Sequence, residues 1–306
     1  MEQVLVKPQA LRPGDTIGIA APASPFDREA FERGVGVLES MGYQVKIPEN
    51  LFSHQGYLAG SDSERASQLT KLFEDESVRA IFCARGGFGS MKLLPLLDFE
   101  AICGQPKILL GFSDITALLV AIYNRCGIVT FHGPLVTSLK RDSEETCSAL
   151  IDAIGSSRPI ALKAGKAVAL KPGRASGPLV GGNLTTLCHL IGTPYEPRFD
   201  RHILFLEDRG EAPYRIDRML SQLRLGGRLD RVAGVVLGSF KDCGPLDDLY
   251  PIVKDAFRHP DIPILAGFAF GHGTTNVTVP IGVEAILDTE DSSLRFSELA
   301  IKKEDS

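Results

Sequence analysis

The sequence predicts an α/β protein of two domains, and three observations support that prediction. Apolar runs that end in small or turn residues alternate with amphipathic helical segments, a pattern typical of a mostly parallel sheet covered by helices. The chain has 306 residues, about twice the length of a typical domain. Hydrophobic residues make up 44% of it and charged residues 23%, values that are ordinary for folded domains.

The first half of the chain carries the regular alternation. A buried strand followed by a loop is predicted at 15–25, and further strands at 44–47, 78–84, 107–111 and 128–132. Helices are predicted at 28–41, 62–73, 90–97 and 115–126, the first with Phe31, Val35 and Leu38 on one stripe and Gly42 as its stop. Because ligands of such sheets bind outside the carboxyl ends of the strands, we expect a site in the loops that follow them.

The second half has a more mixed texture. We predict a strand or tight turn at 179–184, strands at 202–206, 231–240 and 264–270, and three short antiparallel strands at 277–279, 283–287 and 293–296. Helices are predicted at 185–191, 214–225 and 249–258. We therefore place an N-terminal domain at 1–140, a connection at 141–175 and a smaller C-terminal domain at 176–306.

Composition restricts the partners. The formal net charge is −5, and no basic block is present, which disfavours binding to nucleic acid. No apolar run approaches the ~18 residues that a membrane span needs, and the N-terminus does not resemble a signal peptide. The six cysteines are scattered without a C-x-x-C pair, so we expect reduced, mostly buried thiols and a cytoplasmic protein.

Ser113 is the first candidate catalytic residue. It lies between an apolar strand and an apolar helix, where a nucleophile elbow presents its hydroxyl, and Gly111 leaves room for the turn. The start of the following helix supplies backbone N–H groups for a developing oxyanion. The other interpretation is a helix N-cap serine, and Ile115 departs from the G-x-S-x-G pattern.

The segment Arg85-Gly86-Gly87 follows a predicted strand and is the second candidate. A glycine pair in that place can turn backbone N–H groups toward a ligand and complete an oxyanion hole with the N–H of Asp114. Phosphate binding and a plain tight turn are the alternatives. Arg85 fits either a substrate carboxylate or a structural ion pair.

His272 and Glu207 are the candidates in the second half. A histidine between two glycines at a strand end is accessible and suits general base work. Glu207 ends an apolar strand and is placed to orient that histidine; Asp208 is its rival, but adjacent strand residues point to opposite sides. A loop histidine and a carboxylate paired with an arginine are the structural alternatives. No metal-ligand spacing is present.

Several of these segments together resemble the LD-carboxypeptidase family of serine peptidases. They are 84–90 (ARGGFGS), 111–116 (GFSDIT), 181–184 (GGNL), 206–208 (LED) and 271–275 (GHGTT), and the resemblance spans about 12–290. It implies a flavodoxin-like or amidotransferase-like three-layer N-terminal domain and a smaller mixed α/β C-terminal domain. It also implies a Ser113–His272–Glu207 triad, an oxyanion hole of Asp114 with Gly86 or Gly87, no metal or other cofactor, and a homodimer.

The reaction implied by the resemblance is hydrolysis of the amide between a diamino acid, usually meso-diaminopimelate, and a terminal D-alanine of murein peptides during cytoplasmic recycling. A carboxypeptidase must also bind a free carboxylate, and Arg85 is our candidate because guanidinium groups match carboxylates. Asn183 is a second candidate, either for contact with the peptide or for holding the domains together.

Three other functions remain open at this point. The family also includes microcin C self-immunity proteins, which cut acyl-adenylate analogues; the resemblance leads us to expect an aromatic residue, often Trp, on the nucleobase, and the chain has no Trp. An α/β-hydrolase esterase shares the order serine, acid, histidine, but its G-x-S-x-G pattern needs a glycine at position 115, where this chain has Ile. A non-enzymatic two-domain binding protein would not need Ser113 or His272.

Overall fold

A computed structural model describes residues 4–140, 143–259 and 261–303. Their strands are β1 (Thr16–Ala20), β2 (Gln44–Lys46), β3 (Val78–Cys83), β4 (Ile108–Gly111), β5 (Thr130–His132), β6 (Ala161–Lys163), β7 (Val168–Lys171), β8 (Arg174–Asn183), β9 (Ile203–Arg209), β10 (Gly234–Lys241), β11 (Ile264–Ala266), β12 (Val279–Ile281), β13 (Glu284–Asp288) and β14 (Ser293–Phe296). The helices are α1 (Arg28–Ser40), α2 (Asp62–Glu74), α3 (Phe99–Gly104), α4 (Thr116–Cys126), α5 (Glu144–Gly155), α6 (Leu184–Leu190), α7 (Pro213–Leu225) and α8 (Leu246–Ala256). Short 3-10 turns lie at Ser90–Leu96, Ser113–Ile115 and Val136–Ser138.

The described residues form two compact units, each built on one sheet. The first takes the described residues up to 157 together with 277–280 and those from 300 onward. The second takes the described residues of 158–276 together with 281–299. The prediction of an α/β fold with two domains is confirmed, although its boundaries at 140 and 176 stay predictions.

The sheet of the first unit runs in the order β12-β5-β4-β3-β1-β2. Strands β1 to β5 pair in parallel, with Ile19 beside Phe82 and Leu110 beside Phe131. The chain moves outward from β1 to β2, then crosses back to β3 on the other side of β1. The strand order therefore reverses between β1 and β3, and in open parallel sheets ligands bind at such a switch point.

Burial explains why these segments are strands and helices. All four residues of β4 are buried, as a parallel strand covered on both faces requires. Helix α4 is buried from Thr116 to Tyr123, so it is apolar around its whole circumference. Helix α2 begins at a capping box of Ser61 and Glu64. No helix in the described residues combines the length and apolar composition that crossing a membrane requires.

The sheet of the second unit is mixed, as predicted. Its order is β6-β14-β13-β8-β9-β10-β11-β7. The four central strands β8 to β11 are parallel, and antiparallel pairs flank them on both sides. Glu207 on β9 lies beside Asn183 on β8, so the carboxyl ends of these strands bring two predicted site residues to one edge.

Two predicted segments differ in detail. The short strand expected at 277–279 is observed at Val279–Ile281, and it belongs to the first sheet rather than to an antiparallel group in the second. The described part of 141–175 contains α5, β6, β7 and the first two residues of β8. Its assignment as the connection between domains stays a prediction. Pairing with a distant strand leaves no local pattern in the sequence, which is why the place of β12 was not visible there.

The expectation that all cysteines are reduced is wrong for one pair. Cys103 and Cys126 form a disulfide, with their Cα atoms 4.9 Å apart. They lie near the ends of α3 and α4, which pack on each other, although the two residues are 23 positions apart in sequence. The spacing therefore carried no sign of the bond. Cys83, Cys147, Cys188 and Cys243 are free thiols.

Candidate active site

Ser113 sits in a strained turn between β4 and α4. Its φ is 64°, in the left-handed region that non-glycine residues rarely adopt, and the preceding Phe112 is extended at φ −154°. Such a conformation costs on the order of 1–3 kcal/mol and persists where the surrounding structure enforces it. The N-cap residue of the short 3-10 turn is Phe112 and that of α4 is Ile115, so Ser113 is the capping residue of neither. The geometry is therefore that of a nucleophile elbow and not of an N-cap.

Two glycines make room for this turn. A Cβ at Gly111 would lie 2.8 Å from Ile115 Cγ2, so the turn closes only over a glycine. A Cβ at Gly86 would lie 3.0 Å from Ser113 Cβ and 3.2 Å from Ser113 Oγ. The loop at 85–89 after β3, called the glycine loop below, thus packs directly against the candidate nucleophile.

Ser24, in the loop after β1, holds the middle of this glycine loop. Its N–H donates to Gly86 O at 3.2 Å, and its hydroxyl accepts from Phe88 N–H at 3.1 Å. Gly87, at φ 103°, has no room for a Cβ, which would lie 2.4 Å from Ser24 Oγ. Among the described residues, nothing accepts a hydrogen bond from the N–H groups of Gly86 and Gly87. These N–H groups remain available to a ligand at the β1/β3 switch point.

The side chain of Asp114 connects the nucleophile turn to the end of the glycine loop. Its Oδ2 accepts from Ser90 N–H at 2.8 Å, and its backbone carbonyl accepts from the Ser90 hydroxyl. Asp114 is 8% exposed. The two segments that carry the predicted oxyanion donors are therefore fixed to each other through Ser90.

Arg85 is exposed, and its guanidinium donates to Pro25 O. None of the carboxylates in the described residues pairs with it. The alternative of a structural ion pair is therefore not what the structure shows. Its role toward a substrate carboxylate stays a prediction.

Glu207 and His272 form a hydrogen-bonded pair in the second unit. Glu207 is fully buried at the carboxyl end of β9, and its Oε2 lies 2.7 Å from His272 Nδ1. The same oxygen accepts from His272 N–H at 3.2 Å. Because a carboxylate only accepts, Nδ1 is the donor, and Nε2 of the neutral ring is left as a base. The His272 side chain is 14% exposed.

The loop that carries His272 is shaped by Gly271 and Asn276. Gly271 has φ 94°, and a Cβ there would lie 2.4 Å from Glu207 Oε2. Asn276 Oδ1 accepts from Gly271 N–H at 2.8 Å and closes the loop. Sequence reasoning did not single out Asn276, although it lies directly beyond the GHGTT segment.

Asp208 points away from His272, as the alternation along a strand predicts. It accepts from Asn183 Nδ2 at 3.0 Å, from Thr185 N–H at 2.9 Å and from the Thr185 hydroxyl at 2.8 Å. Burial raises the pKa of the Asp208 carboxyl above its usual value. Asn183 also caps α6, since its Oδ1 accepts from Thr186 N–H at 3.0 Å. These contacts hold β8, β9 and α6 together, and contact with substrate stays a prediction for Asn183.

Two further histidines, His132 and His202, have defined surroundings in the structure. His132 is fully buried on β5, with its ring 5.7 Å from that of Phe112. His202 bonds Asp200 O, and burial lowers the pKa of its imidazole. Across residues 4–140, 143–259 and 261–303, no group of three or more His, Cys, Asp or Glu side chains is arranged to hold a metal ion.

Each of the two units carries groups suited to a different catalytic task. The first offers a strained serine beside backbone N–H donors, which suits a nucleophile and an oxyanion site. The second offers an imidazole oriented by a buried carboxylate, which suits a general base. The catalytic roles of Ser113, Glu207, His272, Gly86, Gly87 and Asp114 stay predictions.

Models of known families match both parts of the chain. The LD-carboxypeptidase N-terminal domain matches residues 17–133, and the LD-carboxypeptidase C-terminal domain matches residues 176–287. The first match contains the Ser113 turn and the glycine loop. The second contains Glu207 and His272.

Relatives cover almost the whole chain. The probable murein peptide carboxypeptidase of Bacillus subtilis is 39% identical, over 94% of this chain and 93% of the relative. The muramoyltetrapeptide carboxypeptidase structure from Oxalobacter formigenes has a TM-score of 0.82 at 30% identity, over 92% of this chain and 99% of that one. The microcin C7 self-immunity protein MccF, in complex with aspartyl sulfamoyl adenosine, has a TM-score of 0.90 at 27% identity, over 97% and 100%. With both domain models matched in order, this chain belongs to the LD-carboxypeptidase family.

Proposed function

We propose that this protein is a serine carboxypeptidase that removes the terminal D-alanine from murein tetrapeptide by cutting the L,D-amide after meso-diaminopimelate. The observation that carries the proposal is the left-handed φ of Ser113, which is the capping residue of neither following helix. Beside it, the N–H groups of Gly86 and Gly87 have no acceptor among the described residues. The Glu207–His272 pair supplies the matching base. The names of the Bacillus subtilis and Oxalobacter formigenes relatives support the murein peptide as substrate.

The proposed reaction has two steps. His272 Nε2 takes the proton of Ser113 Oγ while that oxygen attacks the carbonyl carbon of the diamino acid. The resulting imidazolium gives its proton to the leaving nitrogen, the C–N bond breaks, and D-alanine departs. A water molecule then gives a proton to His272 Nε2 and attacks the ester on Ser113. The imidazolium returns that proton to Ser113 Oγ as the C–O bond breaks and the tripeptide leaves. Glu207 stays ionised and stabilises the imidazolium in both steps.

The backbone N–H of Asp114 and those of Gly86 and Gly87 are the proposed oxyanion donors. They are peptide groups on buried or hydrogen-bonded segments, so they need little reorganisation when the oxyanion forms. Arg85 is the proposed partner of the terminal carboxylate, because its exposed guanidinium has no acidic partner among the described residues. We further propose a cytoplasmic role in murein recycling, a homodimer, and catalysis without a metal ion.

A direct test is mass spectrometry of the purified protein incubated with L-Ala-γ-D-Glu-meso-diaminopimelate-D-Ala. The proposal expects tripeptide and free D-alanine with the wild type, and neither product with Ser113→Ala. Labelling with a small serine-reactive phosphonate, mapped by peptide mass, tests the nucleophile independently of the substrate. A wild-type protein that is folded and is not labelled at Ser113 would refute the mechanism.

A second candidate is hydrolysis of acyl-adenylate analogues, as suggested by the similarity to MccF. The chain lacks Trp, but Tyr57 and Phe88 are exposed and their rings lie 5.8 Å apart beside the glycine loop. Such a pair is suited to stacking on a nucleobase. Cleavage of an aminoacyl sulfamoyl adenosine, with no cleavage of the tetrapeptide by the same Ser113-reactive protein, would favour this candidate.

A further inference from the structure

Arg65 is a fully buried arginine that the proposed mechanism does not use. It lies on α2, is 1% exposed, and is among the largest wholly buried side chains of the described residues. A buried guanidinium is costly unless its donors are satisfied, so its partners show what it does. The sequence offered no sign of this residue, since α2 reads as an ordinary amphipathic helix.

The guanidinium of Arg65 connects three loops. Its Nε donates to Gly60 O at 3.2 Å, in the loop before α2. Its Nη1 donates to Gly89 O at 3.0 Å and to Pro22 O, in the loop after β1. Its Nη2 pairs with Asp62. Only the planar fork of an arginine can serve so many acceptors at once.

The contact with Gly89 reaches the proposed oxyanion site. The peptide unit that joins Gly89 to Ser90 is held on both sides, because its carbonyl accepts from Arg65 and its N–H donates to Asp114 Oδ2 at 2.8 Å. Asp114 carries one proposed oxyanion donor, and Gly87, two residues before Gly89, carries another. The same peptide unit therefore links the two segments whose N–H groups must converge on one oxygen.

Steric fit supports a fixed position for this link. Gly89 has φ 129°, and a Cβ there would lie 2.8 Å from Arg65 Nη1 and 2.6 Å from Leu58 Cδ2. The backbone of the glycine loop thus lies directly against the guanidinium. A displacement of about 1 Å at a catalytic group is enough to lower a rate about 100-fold.

We infer that Arg65 is a positioning residue that sets the spacing of the oxyanion donors by holding the Gly89–Ser90 peptide unit. This inference rests on the proposed function for its catalytic consequence. The claim that Arg65 immobilises the glycine loop does not depend on which substrate the protein cleaves. Arg65 touches no reacting atom, so its effect passes through the backbone of the loop.

The test compares Arg65→Lys with Lys92→Met. Lys92 Nζ pairs with the same Asp62 at 2.8 Å, but among the described residues its side chain forms no hydrogen bond with the glycine loop. Lys92→Met is therefore a matched control, because it removes a cation that pairs with Asp62 without removing a bond to the loop. Three quantities are measured for each: kcat and KM on the tetrapeptide, the rate constant of phosphonate labelling at Ser113, and hydrogen exchange of the peptide covering 84–92.

For Arg65→Lys we expect kcat and the labelling rate to fall about 10- to 100-fold, with KM within about threefold and exchange over 84–92 accelerated. Lys92→Met is expected to stay within about threefold of the wild type on every readout. A folded Arg65→Lys protein with wild-type kcat, labelling and exchange overturns the inference. A loss confined to KM, or an equal loss in Lys92→Met, overturns it as well.

A third variant covers the case in which Arg65→Lys does not fold. Ser90→Ala removes the hydroxyl bond to Asp114 O at the other end of the same link, and it should lower the labelling rate about 3- to 10-fold without changing exchange before residue 84. An unchanged labelling rate in Ser90→Ala would then count against the inference. If the wild type is not labelled, the proposed function fails, and accelerated exchange in the Arg65 or Ser90 variant still decides whether the loop is held as inferred.

Discussion

The region around Ser113 in the first unit and the region around His272 in the second are built by different means. Around Ser113, position is set by backbone: a left-handed φ, glycines that exclude a Cβ, and peptide N–H groups left without acceptors among the described residues. Around His272, the imidazole is oriented by charge, because its Nδ1 and the His272 backbone N–H both donate to the buried carboxylate of Glu207. Activity should therefore be sensitive to atoms added near Ser113. Near His272 it should be sensitive to a substitution that removes the charge of Glu207 while keeping its shape.

The largest expected effect is loss of the Ser113 hydroxyl. Ser113→Ala should lower turnover by about 10⁴- to 10⁶-fold while the melting temperature stays within a few degrees. Ser113→Gly should be equally inactive but more stable by about 1 kcal/mol, because glycine tolerates φ 64°. Turnover and thermal unfolding of both variants check this. Residual activity near the wild-type level in either one would remove Ser113 from the mechanism.

The next test compares the neighbouring carboxylates Glu207 and Asp208 in the region around His272. Glu207→Gln keeps the shape but removes the charge beside His272 Nδ1, so kcat should fall about 10²- to 10⁴-fold. Asp208→Asn alters the neighbour that faces Asn183 and Thr185, and kcat should stay within about threefold. Equal losses in the two variants would contradict the assignment of Glu207 as the orienting group.

The Asp208 carboxyl should also change how the free energy of unfolding depends on pH. Because burial raises its folded-state pKa above the unfolded value near 4, the folded protein holds this proton more tightly. The contribution is fully present below about pH 4 and is lost as pH rises through the folded pKa. Melting temperatures measured upward from pH 4 should therefore fall less steeply in Asp208→Asn than in the wild type.

A smaller effect is expected from crowding the Glu207–His272 pair. Gly271→Ala places a Cβ 2.4 Å from Glu207 Oε2 at φ 94°, so we expect about a 100-fold loss of kcat and about 1–3 kcal/mol of destabilisation. Gly273→Ala, in the same loop, meets nothing nearer than 3.2 Å and is the control. The same loss in both variants would mean that the loop, and not the pair, is sensitive.

The smallest of these effects is expected at Gly86. Gly86→Ala adds a Cβ 3.0 Å from Ser113 Cβ without a left-handed φ to strain, so folding should be preserved. Displacing Ser113 by a few tenths of an ångström should lower kcat and phosphonate labelling together, by about 10- to 100-fold. Wild-type labelling of this variant would show that the glycine loop does not constrain the nucleophile.

Much of this arrangement could be predicted from local patterns. The alternation of strands and helices, the strand-to-helix turn at Ser113, and the choice of Glu207 over Asp208 all follow from periodicity within a few residues. Arg65, Asn276 and the Cys103–Cys126 bond could not be predicted in this way. The partners of Arg65 lie up to 43 residues away and the two cysteines are 23 residues apart, so no local pattern reveals them. Asn276 bonds Gly271 only five residues away, but a single loop amide leaves no periodic signal in the sequence.

The fold class, the family resemblance and the order of the candidate catalytic residues can be predicted from local sequence patterns, because burial imposes a short-range periodicity and glycines mark the turns. The three-dimensional structure shows that β12 lies beside β5, that Asn183 Nδ2 donates to Asp208, and that Arg65 donates to the carbonyl of Gly89 in the glycine loop. The physical reason is that hydrogen bonds between distant segments depend on their final separation. That separation is set by the topology of the whole sheet and not by the residues on either side of each group.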